Sequence, residues 1–184
     1  MRTLDHLKLD PLKHSHWSDA ARFESALCVR FNRMNRRKLV GPAFALVSRL
    51  GDGAFWYALM LLMPLAYGDW LLALTMALTG AASTALYRFI KARTRRPRPC
   101  EAYDMPYLTV APLDRFSFPS GHTLHAVGFT VLACHGHPEL GWFLIPFTVL
   151  VALSRLVLGL HYPSDVLTGA AIGVGMASAA ITLT

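Results

Sequence analysis

An all-α polytopic membrane bundle, with about five to six helices and an N-terminal interfacial amphipathic helix, is the fold class this sequence predicts. Three observations predict it. Of 184 residues, 54% are hydrophobic, and the mean hydropathy is +0.38. The apolar residues fall into runs long enough to cross about 30 Å of hydrocarbon. The cations are segregated: of eighteen Lys and Arg, nine precede Leu39 and seven lie from Arg88 to Arg115, leaving only Arg49 and Arg155 elsewhere.

In chain order, residues 1–38 are polar and basic, with no apolar core and cleavage site of a secretory signal. From Trp17, apolar Ala21, Phe23, Leu27, Phe31 and Met34 recur at roughly helical spacing among five arginines. That pattern suits a helix lying beside anionic headgroups, or an amphipathic helix packed on the protein's own bundle. Leu39–Tyr67 reads as one span interrupted by Gly51-Asp52-Gly53, and Tyr67-Gly68-Asp69-Trp70 as a headgroup-level turn. Trp70–Ile90, Ser120 to about His135, Leu140–Leu160 and Val166–Leu183 give four further spans. The last is lined with small residues, and Gly169-x-x-x-Gly173 allows close helix packing. Two parts follow: a basic N-terminal segment, 1–38, and a membrane-embedded domain, 39–184.

A net charge of +7 admits nucleic acid, anionic lipid or an anionic substrate. A chain spending this much length in lipid is a poor DNA binder, so nucleic acid is not expected as a partner. Cys28, Cys100 and Cys134 show neither metal-ligand spacing nor a framework of pairs. The predicted partners are the bilayer and an anionic headgroup at its edge; no cofactor or metal is expected, and the oligomeric state is left open.

Five spans bring the 91–119 loop and the 159–165 turn out on one face, where their polar residues can meet. In the turn, His161 precedes Asp165 by one helical turn, so a carboxylate can hold one imidazole nitrogen and leave the other free as nucleophile or base. Arg155 lies one to two turns back, within reach of an anion. In the loop, Pro97 and Pro99 end the helix carrying Lys91 and leave Arg98 extended. In Pro119-Ser120-Gly121-His122, Ser120 is a good N-cap, and the helix start that follows favours a phosphate. Each element alone also reads as a membrane anchor or an ordinary cap. His125 reads better as a packing residue than as a second catalyst. His135 and His137 belong to a hairpin on the opposite face. Arg93, Arg95, Arg96 and Arg115 read as headgroup or water contacts, and Asp52 as structural or tuning access.

Taken together, Lys91-x6-Arg98-Pro99, Pro119-Ser120-Gly121-His122 and Ser154-Arg155-x5-His161-x3-Asp165 resemble the three-part signature of the phosphatidic acid phosphatase type 2 superfamily. The helical layout resembles its membrane branch over roughly residues 40–184, and the first 38 residues lie outside the likeness. The resemblance implies a phosphohydrolase working without metal through a phosphohistidine. His161 would be the nucleophile, Asp165 its orienting partner and His122 the acid and base. Lys91, Arg98, Ser120, Gly121 and Arg155 would hold the phosphate. Compactness is similar to the bacterial undecaprenyl-diphosphate phosphatases, with phosphatidylglycerophosphate, phosphatidic acid and lipid A phosphates as competitors. A lipid-phosphate binder or transporter without chemistry is the alternative class, but it needs no oriented imidazole pair. The expected location is the bacterial cytoplasmic (inner) membrane. There the resemblance implies a site on the periplasmic or extracellular face, while the basic N-terminus on the same face argues for the cytoplasm.

Overall fold

The computed structural model describes residues 19–102, 110 and 114–184. The histidines at 6, 14 and 16 and the start of the basic segment lie outside them. Among the described residues the chain is helical without strands: α1 (Asp19–Asn32), α2 (Val40–Leu50), α3 (Ala54–Tyr67), α4 (Trp70–Thr94), a four-residue α5 (Pro99–Ala102), α6 (Gly121–Gly136), α7 (Gly141–Val157) and α8 (Pro163–Leu183).

The single span expected over Leu39–Tyr67 is instead two helices, α2 and α3, meeting at a 46° bend. Gly51-Asp52-Gly53 is the reason. Gly53 sits at φ +128°, a conformation that residues with side chains rarely adopt, and it breaks the ladder between Leu50 and Ala54. The bend turns Asp52 toward the bundle instead of carrying it along a straight rod. The α4 helix starts on an Asp69 cap, whose Oδ1 accepts the Leu72 amide at 2.9 Å, and runs to Thr94, so Lys91 rides on its last turn.

Among the described residues, three helices are long and apolar enough to cross a membrane, or four if the bent pair counts as one. Helix α6 has 16 residues, roughly 24 Å at 1.5 Å per residue, and falls short of that length. It need not match lipid, because α4, α7 and α8 enclose it, and its Thr123, Leu124, Ala126, Phe129, Thr130 and Leu132 are buried. It still runs the height of the bundle. Its first turn lies at the cavity beside Lys91, and its far end brings His137 Nε2 to 3.3 Å from Asp69 Oδ2, at the start of α4. The hairpin histidines are therefore a full helix away from the basic loop.

Helices α6 and α8 pack backbone to backbone. A Cβ on Gly169 would come within 2.5 Å of the Ser120 carbonyl oxygen, and one on Gly173 within 2.5 Å of that of Leu124. The small-residue stripe thus sets how closely the two helices approach. Trp56, Met63, Met76, Phe129, Leu144, Phe147 and Val151 fill the centre, while Leu61, Leu65, Leu71, Leu78, Trp142 and Leu167 point outward as a lipid-facing shell.

Helix α1 keeps Arg22, Phe23 and Arg30 exposed. Its opposite face, with Ser25, Cys28, Val29 and Asn32, is buried, and the helix touches α7 and α8. Asn32 and Asn35 donate their side-chain amides to the Val157 carbonyl at 3.2 and 2.7 Å. Of the two arrangements expected for this helix, packing on the protein's own bundle is therefore present, with the other face left outward. All three cysteines are free thiols.

Candidate active site

The turn after α7 is built by its backbone. Gly159 adopts φ +69°, and the amides of Leu160 and His161 both donate to the Arg155 carbonyl, at 3.1 and 3.2 Å. This folds His161 back over the end of α7. Pro163 opens α8 at its first position. Asp165 then falls in the first turn, where its Oδ2 accepts the Tyr162 amide at 2.9 Å. The same oxygen lies 3.6 Å from His161 Nδ1, an ion-pair separation longer than a hydrogen bond. On the other side of the ring, Arg98 Nη1 lies 3.2 Å from His161 Nε2. An arginine can only donate, so Nε2 presents a lone pair there and the ring proton belongs on Nδ1, facing Asp165.

Arg98 occupies a non-helical segment after Thr94, and its carbonyl accepts the amides of Glu101 and Ala102 to start α5. Its guanidinium is fixed by the Leu160 carbonyl at 2.7 Å, the Asp114 carbonyl at 2.8 Å and Asp114 Oδ1 at 2.6 Å. Lys91 Nζ reaches Asp114 Oδ2 at 2.7 Å. Burial pushes the Asp114 carboxyl up, but its bonds to Lys91 and Arg98 and their charges outweigh this and hold it below the usual carboxylate range. Arg155, buried at the end of α7, donates to the Ser48 hydroxyl on α2.

These groups meet at a cavity of about 770 Å³ lined by Lys91, Arg98, Gly121, His122, Arg155 and His161, together with Asp52 and Asp114. His122 Nε2 lies 3.4 Å from Asp52 Oδ1. Two of the expected residues stand just behind this wall. Asp165 backs His161, and Ser120 is a buried N-cap whose hydroxyl pairs with that of Thr123 at 3.0 Å. From the polar end the cavity continues as an apolar arm between α3, α4 and α6, along Trp56, Met60, Ala77, Gly80, Ala81 and Phe129. His125 stacks on Phe129 in this arm, 5.4 Å between centroids, and meets the Thr84 hydroxyl at 3.3 Å. That is the packing role expected of it.

Burial pushes the His161 imidazole well below the ordinary histidine range, and Arg155, Arg98 and Lys91 push the same way against Asp114. It is therefore neutral at pH 7, the form that carries a nucleophilic lone pair.

Four contributors escaped the sequence reading: Asp114, Ser48, Glu24 and the inward turn of Arg96. Arg96, expected at headgroups or in water, instead donates to Asp165 Oδ1, Ser164 Oγ and Glu24 Oε2, each at 2.7 Å. Arg93 and Arg95 remain exposed as expected, and Arg115 lies near the Phe116 ring. Spacing alone cannot tell which of four neighbouring arginines turns inward. The only signal was that Arg96 shares a segment with Arg98.

Residues 69–184 match the PAP2 superfamily profile. The chain belongs to the PAP2 superfamily. Undecaprenyl-diphosphatase BcrC of Bacillus subtilis is 31% identical over 121 residues, a match spanning 64% of this chain but only 62% of that relative. The decaprenylphosphoryl-5-phosphoribose phosphatase of Mycolicibacterium smegmatis is 34% identical over 161 residues, 83% of this chain and 84% of the relative. Among solved structures, LpxE of Aquifex aeolicus superposes with a TM-score of 0.76 at 24% identity, covering 85% of this chain and 93% of the other. The PAP2-type phosphatidylglycerolphosphate phosphatase of B. subtilis gives 0.72 at 23%, covering 91% and 87%. These two likenesses concern the fold. With its spanning helices, the protein is an integral membrane member of a phosphatase family.

Proposed function

We propose that the protein is a lipid phosphatase that works through a phosphohistidine at His161. One observation carries this reading: the His161 imidazole is held between Asp165 and Arg98 where a cavity lined by Lys91, Arg98 and Arg155 opens into an apolar arm. A phosphate head seats among Lys91, Arg98 and Arg155, with the α6 N-terminus at Gly121 beside it, and the lipid chain follows the arm. These cations balance the equatorial oxygens without a metal. The lone pair of His161 Nε2 attacks phosphorus in line, the N–P bond forms, and the bond to the leaving oxygen breaks. His122 gives that oxygen its proton. His122 then takes a proton from water, whose oxygen attacks phosphorus, breaks the N–P bond and releases inorganic phosphate. Asp165 stabilises the imidazolium formed between the two steps.

Undecaprenyl diphosphate is the substrate we favour, with phosphatidylglycerophosphate, phosphatidic acid and lipid A phosphates as alternatives. Support comes from two relatives whose names carry polyprenyl substrates. The second of them adds decaprenylphosphoryl-5-phosphoribose to the candidates. Detergent-solubilised protein offered each lipid in EDTA is expected to release phosphate fastest from a polyprenyl substrate. Activity abolished by EDTA would overturn the metal-independent chemistry, and preference for a diacylglycerol phosphate would overturn the polyprenyl assignment.

We place the protein in a bacterial cytoplasmic membrane with its cavity on the periplasmic or extracellular face. Arg115, between cavity-lining Asp114 and Phe116, is exposed, whereas Ser117 is buried against the Pro97 carbonyl. Position 115 is therefore the useful probe. Arg115→Cys should react with an impermeant maleimide added outside intact cells, and labelling only after lysis would reverse the orientation.

A further inference from the structure

The loop carrying His161 and Asp165 is gripped along its length by α1, a helix outside the matched residues 69–184. Glu24 accepts the Ser164 amide through Oε1 at 2.7 Å and Arg96 Nη2 through Oε2 at 2.7 Å. The same guanidinium bonds Asp165 Oδ1 at 2.7 Å and lies 4.0 Å over the Tyr162 ring, the residue between His161 and Pro163. Cys28, one helical turn beyond Glu24, packs on that ring from α1. The Asp165 side chain is fully buried, that of Glu24 is 16% exposed and that of Arg96 29%. Partly withdrawn from water, the three charges act on one another strongly.

We propose, on the footing of the phosphohistidine reading, that Glu24 and Arg96 are positioning residues for the nucleophile, acting through Asp165. Arg96 anchors one oxygen of Asp165 so that the other faces His161 Nδ1. Glu24 takes the second arm of the guanidinium. Two carboxylates sharing one guanidinium leave a net negative charge beside the imidazole, where a lone Arg96–Asp165 pair would be neutral. That residual charge stabilises the imidazolium formed when His161 attacks phosphorus. Because Glu24 lies behind His161 and off the cavity wall, its removal should slow chemistry and leave phosphate affinity in place.

The test uses full-length protein in detergent. Glu24→Gln removes the charge and keeps one of the two accepting oxygens. Glu24→Asp keeps the charge on a shorter arm. Arg30→Gln, on the exposed face of the same helix, is the control. Wild type and His161→Ala are assayed first. We expect Glu24→Gln to lower kcat roughly ten- to a hundredfold, the loss of one charge-assisted contact, with KM within about threefold. Glu24→Asp should recover part of the rate, and Arg30→Gln should match wild type.

Losing a negative charge should also move the acidic limb of kcat/KM to lower pH, because that limb follows the His161 imidazole. The other groups facing it are unchanged in every variant: Lys91, Arg98, Arg155 and Asp114 around the cavity, His122 on α6, and Asp165 with Arg96 behind. A merely structural role would lower the thermal midpoint and the rate together, with the limb unmoved, and that result would overturn the proposal. So would a Glu24→Gln enzyme with kcat within about threefold of wild type. If wild type itself shows no His161-dependent phosphate release, the functional reading fails first and this proposal with it.

Discussion

Lipid phosphatase activity is expected to vanish in His161→Ala, by on the order of 10⁴-fold or more, as when a nucleophile is removed from a concerted site. Among the described residues the cavity offers no substitute with the same geometry. His122, the other imidazole at its polar end, faces Asp52 at 3.4 Å rather than a carboxylate–arginine pair. The substitution should leave folded protein, because the turn is held by backbone contacts to Arg155, and Arg98, which loses the ring nitrogen, keeps the Leu160 and Asp114 carbonyls and Asp114 Oδ1. A thermal melt checks the fold and phosphate release checks the chemistry. Retention of more than about a hundredth of wild-type turnover by folded His161→Ala would mean that another group attacks phosphorus. The pH profile gives a companion result. The buried imidazole titrates below its ordinary range, so the acidic limb of kcat/KM should lie below that of an exposed histidine.

Asp165→Asn is expected to cost roughly 10³-fold in kcat with little change in KM. The carboxylate is fully buried and lies 3.6 Å from His161 Nδ1 while accepting the Tyr162 amide and Arg96. An asparagine can still accept from Arg96 or Tyr162, but it brings no charge to the imidazolium. Turned the other way, its NH₂ donates toward Nδ1 and favours the ring tautomer protonated on Nε2, the atom that must attack. Arg98, which donates to Nε2, opposes that tautomer, so the ring is left poorly oriented in either state. A variant that melts like wild type and still turns over within threefold of it would remove Asp165 from the mechanism.

The motif residues were legible because chain order and local spacing carry their logic. Asp165 follows His161 by one turn, Pro97 and Pro99 must end the helix bearing Lys91, and Ser120 must cap the next one; the structure has all three. The glycine stripe of α8 was legible for the same reason, since only hydrogen atoms fit where Ser120 and Leu124 carbonyls approach within 2.5 Å of a would-be Cβ. The bend at Gly51-Asp52-Gly53 was visible as a weakness in the span but not as a 46° turn. Two glycines permit a break, and what surrounds them decides whether it is used. At the break Gly51 packs against Val151 of α7, which a Cβ there would meet at 2.9 Å.

By itself the sequence determined the helical membrane class and the order of the site elements, because both depend on hydrophobic runs and separations of a few residues; the proposed imidazole pair came from the family resemblance. Only the tertiary structure decided that Asp114 bridges Lys91 and Arg98 across 23 and 16 positions. It alone decided that Ser48 receives Arg155 over 107, and that Glu24 reaches Arg96 over 72. Such charges have no local periodicity to announce them. Their partners are chosen by the cost of leaving a buried arginine or carboxylate unpaired, and that cost exists only once the helices have closed around them.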